Sequence, residues 1–163
     1  MKLKLKLKLK SWKIYLCGVL FTEAAGVLSA LLTREGTKLY NAAMIKSLLS
    51  PPPLAFPIAW TILYALMGVG AARMFLAPAS PSRTKSLLLF IIQLAFNFSW
   101  SIIFFNFQAF SAAFFWLLIL LALALMMTLS FRKVDMLAAI LQIPYLLWLT
   151  FAGYLNFNVW LLN

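Results

Sequence analysis

"SLLSPPPLAFPIAWTILYALMG", residues Ser47 to Gly68, decides how this chain is read. From Leu54 the apolar run continues to Leu76 with Arg73 as its one charge. That is enough for a helix across about 30 Å of hydrocarbon, which takes about 20 residues. Pro51, Pro52, Pro53 and Pro57 stand at its mouth. Proline stiffens the backbone and removes donors, yet is tolerated in a first helical turn, where its missing N–H has no partner anyway. The stretch therefore predicts a membrane-spanning helix with a rigid mouth.

Working outward, four more apolar runs have membrane length. With this one the expected spans are 12–32, 54–76, 86–105, 110–131 and 134–162. The last is long, and Pro144 inside it predicts a kink or tilt. Residues 77–85 and 131–135 are short polar turns, and only the connection from Thr33 to Pro53 is long. The expectation is an all-α integral membrane protein. A basic arm (residues 1–13) precedes one bundle of five transmembrane helices (14–163). Composition agrees: 65% of residues are apolar and 10% charged, against about 45–50% and 25% in soluble domains.

The net charge of +11 does not point to nucleic acid, because six of the fourteen basic residues fall in the first thirteen positions. The others flank apolar runs, where positive charge sets topology. The amino-terminal side carries Lys2, Lys4, Lys6, Lys8, Lys10, Lys13, Arg73, Arg83, Lys85, Arg132 and Lys133. The other side carries Arg34, Lys38 and Lys46. That asymmetry predicts a cytoplasmic amino terminus and an outward-facing carboxyl terminus. A bacterial cytoplasmic membrane is the first expectation and an outer membrane the alternative. "MKLKLKLKLK" reads as a juxtamembrane anchor on anionic lipid.

Histidine is absent and Cys17 is the single cysteine. The commonest general base, a disulfide and a thiolate metal site are all missing, so no catalytic residue and no metal site is assigned. Polar residues inside spans are the remaining candidates, because lipid turns them toward neighbouring helices or a cavity. Gln93, Asn97, Trp100 and Ser101 share one face of the third helix at about 100° per residue. Tyr145, Trp148, Ala152 and Asn156 share one face of the fifth, and Trp60, Tyr64, Met67 and Gly68 align on the second. Such stripes serve helix packing or wall a flat aromatic cavity, and residue type alone leaves both open. Glu23 is the one acid deep in a span. With no basic residue at its depth, it is expected to be protonated and hydrogen-bonded between helices, with a ligand or proton-relay role as the alternative.

Three ordered motifs carry a resemblance. "KSLLSPPPLAFPIAWTILYALMG" (46–68), "QLAFNFSWS" (93–101) and "PYLLWLTFAGYLNFNVW" (144–160) resemble the tryptophan-rich sensory protein (TspO/MBR) family. Its animal members are the translocator proteins, or peripheral benzodiazepine receptors. The resemblance implies a five-helix bundle, usually a homodimer, whose pocket opens toward the long first connection. It implies binding of porphyrins (protoporphyrin IX or haem, as ligand and not required cofactor) and other planar hydrophobic molecules. It places Trp60, Tyr64, Asn97, Trp100, Ser101, Tyr145, Trp148 and Ala152 at the ligand, with Pro51, Pro52 and Leu49 in the lid. Leu49 stands where the family often has tryptophan, and the animal cholesterol motif is not matched. The implied function is a receptor or sensor of tetrapyrroles. A porphyrin or lipid transporter, or a light-dependent porphyrin-degrading enzyme using tryptophans, are the alternatives.

Overall fold

A computed structural model describes the backbone of residues 2–163 and the side chains of residues 11–163. The lysines of the arm up to Lys10 lie outside the described side chains, so the anchor expectation rests on sequence. The elements are α1 (Lys2–Leu32), α2 (Arg34–Ala43), α3 (Ala55–Leu76), α4 (Pro81–Ser101), α5 (Phe110–Arg132), α6 (Met136–Ile140) and α7 (Ile143–Leu162). A π-helical turn, Ile102–Asn106, extends α4. Five spans result among the described residues: Ser11–Leu32, Ala55–Leu76, Pro81–Asn106, Phe110–Arg132 and Met136–Leu162. No strand occurs among the described residues. The protein is an all-α integral membrane protein.

Helix boundaries follow local chemistry. Ser80 caps α4, its Oγ accepting the Arg83 N–H at 3.2 Å, and Pro81 fills the first helical position. Asp135 caps α6 by accepting the Ala138 N–H at 3.0 Å. Gln108 takes a left-handed φ of 50° where the chain reverses into α5, a conformation that only a minority of non-glycine residues adopt.

Around the bundle α1 lies against α3, α3 against α6 and α7, α7 against α5, and α5 against α4, which closes on α1 and α3. The α1–α3 seam is built on small residues. A Cβ at Gly68 would sit 2.6 Å from the Gly18 carbonyl oxygen. Beside it the Thr22 hydroxyl donates to the Tyr64 carbonyl at 2.7 Å. Small residues let backbones approach where hydrophobic burial cannot drive helices together. The polarity is that of a protein in lipid: Leu20, Ile62 and Leu147 face outward, while Gln93, Asn97, Gln142 and Asn156 are buried.

Two features depart from expectation. The connection from Thr33 to Pro53 contains the helix α2. Its Tyr40 packs on Phe104 (5.2 Å), Phe105 (5.5 Å) and Phe110 (6.3 Å between centroids). At the same end Asn163 and the Ile45 backbone exchange two hydrogen bonds, at 2.9 and 3.0 Å. The last span is divided and not merely kinked. Pro144 has no N–H for the Ile140 carbonyl. Before it, the Gln142 N–H turns to Ala139, and the Gln142 Nε2 supplies Ala138 instead at 3.1 Å. Gly70 on α3 makes room for that side chain, since a Cβ there would run into its amide.

Candidate functional site

Each of three helices brings one face to the bundle centre near the end that carries the long connection. α3 contributes Trp60, Tyr64 and Met67; α4 contributes Gln93, Asn97 and Trp100; α7 contributes Tyr145, Trp148 and Asn156. Positions three and four apart stack along one helix face, which is why these side chains meet.

The polar groups form a continuous chain. Tyr64 Oη donates to Asn97 Oδ1 at 2.7 Å, and Asn97 Nδ2 donates to Tyr145 Oη at 3.1 Å. Tyr145 Oη donates to Gln93 Oε1 at 2.9 Å, and Gln93 Nε2 reaches the Met67 sulfur at 3.8 Å. Gln93 and Tyr145 are wholly buried, and Asn97 and Tyr64 nearly so. A second pair lies closer to the long connection. Trp100 Nε1 donates to Asn156 Oδ1 at 3.3 Å, and Asn156 Nδ2 donates to the Phe110 carbonyl at 2.8 Å. These groups are neutral, so burial is compatible with their hydrogen bonds and needs no counter-ion.

Aromatic rings cover the chain. Trp60 lies 5.3 Å from Tyr64, 6.4 Å from Tyr145 and 6.3 Å from Trp148, and Phe56 lies 5.9 Å from Trp148. Trp60 and Trp148 are half-buried. Neither indole N–H has a hydrogen-bond partner among the described residues, in contrast to Trp100 and Trp116. The site therefore joins pinned amides and phenols to two unpinned indoles. Such a surface can stack a flat apolar ring and offer amides to its polar edge.

A family model for the TspO/MBR family matches residues 18–161. The chain belongs to the TspO/MBR family. It is 33% identical to the tryptophan-rich protein TspO of Chlorobaculum tepidum, over 86% of this chain and 89% of that protein. It is 34% identical to the tryptophan-rich protein TspO of Archaeoglobus fulgidus, over 89% and 94%. It is also 34% identical to the translocator protein of Bos taurus, over 86% and 85%.

For this TspO/MBR member, the residues expected at the site divide into three groups. Trp60, Tyr64, Asn97, Tyr145 and Trp148 come together. Trp100 is buried in the neighbouring pair, while Ser101 and Ala152 are half-buried at the margins. The rest stand apart. Leu49 is 63% exposed, Pro52 is exposed and Pro51 half-buried. The aromatic residue closing this end is instead Tyr40, which sequence reasoning did not single out. Its signal was faint: one tyrosine in a polar ten-residue segment. Burial pushes its hydroxyl pKa up. Glu23 is half-buried and makes no hydrogen bond among the described residues, contrary to the interhelical bond expected of it. Thr22 takes that place, and the next residue is turned about 100° away.

At the opposite end Arg73 meets Asp135 at 2.6 Å. Partial burial works against the Asp135 charge, but the guanidinium and the backbone N–H groups of Ala138 and Leu137 outweigh it and hold its pKa below the ordinary value.

Proposed function

We propose that this protein is a membrane receptor or sensor for tetrapyrroles and other planar hydrophobic molecules. The ligand is held at Trp60, Tyr64, Asn97, Tyr145 and Trp148. The observation that carries the reading is the convergence of two unpinned indoles on a buried row of phenol and amide groups. The names of the relatives, tryptophan-rich protein and translocator protein, accord with it. Because the amides and phenols are satisfied among themselves, a ligand's polar edge has to replace internal bonds, and the stacking rings supply most of the attraction. With no histidine in the chain, metal-free porphyrin is the preferred form over axially ligated haem. The charge asymmetry supports a cytoplasmic amino terminus.

The test is quenching of tryptophan fluorescence by protoporphyrin IX in detergent, in the dark. Wild type is expected to saturate, and Trp148→Ala and Asn97→Ala to shift the midpoint upward by about tenfold, roughly the loss of one well-placed contact. Quenching that never saturates, or that ignores both substitutions in folded protein, would leave these stripes as packing alone.

A further inference from the structure

The seam between α3 and α7 carries a feature that the aromatic cluster does not use. α3 lies chiefly against α1 and α7 against α5, so the two touch each other sparingly. Between them runs a shallow, open groove of about 440 Å³, lined almost wholly by apolar atoms. Ala59 and Ile62 form one bank, Pro144 and Leu147 the other, and Trp148 closes it. Ile62 and Leu147 are 56% and 67% exposed. Both lie inside spans, so their surroundings are hydrocarbon. Trp148 is also the ring that leans on Trp60. One side chain thus borders the groove on one side and packs against the aromatic cluster on the other.

The geometry points to this groove as the route by which a planar hydrophobic ligand passes sideways from the bilayer to the aromatic cluster, with Trp148 as the moving partition. The inference rests on the binding reading above. An apolar molecule dissolves in the hydrocarbon first, so it meets the protein along its lipid-facing sides. The end with the long connection is shut by Tyr40 on its phenylalanines and by the Asn163–Ile45 pair. Rotation of Trp148 breaks no hydrogen bond, whereas moving Tyr64, Tyr145 or Trp100 would break at least one. The small side chain of Ala59 leaves the opening in front of it.

The experiment follows association and release of protoporphyrin IX by rapid-mixing fluorescence with protein in phosphatidylcholine vesicles. Ala59→Phe fills the groove without replacing a cluster residue, and Leu147→Ala widens it. Ala59→Phe is expected to slow association and release alike by about tenfold, as an overpacked obstacle does, with the equilibrium midpoint unchanged. Leu147→Ala is expected to speed both, so the second variant decides the matter if the first does not fold. Rates indifferent to both variants but raised by Tyr40→Ala would overturn the route and leave binding intact. A midpoint shift without a change in release rate would overturn it too. Wild type that never saturates would remove the binding reading, and the route with it.

Discussion

Asn97 is the hub of the buried chain, and replacing it with leucine should reveal what the chain is for. Asn97→Leu deletes the bond accepted from Tyr64 and the bond donated to Tyr145. Interhelical hydrogen bonds in membranes average about 0.6 kcal/mol, so the two together are worth about 1 kcal/mol. Tyr145 keeps its bond to Gln93, but the buried Tyr64 hydroxyl is stranded, which adds about 1–2 kcal/mol. The expected loss is about 2–3 kcal/mol. Tyr64→Phe alone strands the Asn97 oxygen and costs about 1–2 kcal/mol. The double variant strands neither group, so it should lose only about 1–2 kcal/mol, which is less than the two single losses added. Unfolding in dodecyl maltoside, followed by circular dichroism, measures all three. Additivity of the two substitutions within about 0.5 kcal/mol would refute the reasoning, because the hydroxyl and the amide would then not depend on each other.

At the α1–α3 seam, Gly68→Val meets the unyielding Gly18 backbone. It should destabilise by about 1–3 kcal/mol in the same assay, with helix content retained. Asp135 titrates below its unfolded value of about 3.9, so its contribution is complete above that pH and is lost as the pH falls through the folded value. Asp135→Asn, which can still cap α6, should weaken the fall in melting temperature as the pH drops below about 4. Asn163→Ala should release Ile45 and raise amide hydrogen exchange across residues 34–46 several-fold, with little change in α5.

The spans were legible because each depends on about 20 consecutive residues, a property no tertiary contact has to complete. The stripes on α3, α4 and α7 were legible for the same reason, since helical periodicity sets a face. Periodicity does not say whether two faces touch. The closure of Tyr64, Asn97, Tyr145 and Gln93 into one chain depends on helix separations that composition does not record. α2 escaped notice because its ten mixed residues would not hold a helix alone; Tyr40 is held by rings from distant segments. Leu49 shows where a motif stops being informative. A place in a motif does not by itself fix where a loop residue faces, and in this structure the residue is exposed. Glu23 missed the seam by one residue, a distinction no hydropathy pattern draws.

The division of the last span makes it a lever. Its short arm, α6, is held by Asp135 to Arg73, and its long arm, α7, starts again past the joint at Leu141–Gln142. Trp148 stands five residues into α7, about 8 Å from the pivot, while the far end lies about 30 Å away. A tilt of about 10° that moves Trp148 by little more than ~1 Å would carry Asn163 about 5 Å. The displacement is largest where α7 grips Ile45. The two Asn163–Ile45 bonds therefore sit at the point of greatest reach, where a latch resists a swing of the long arm most effectively.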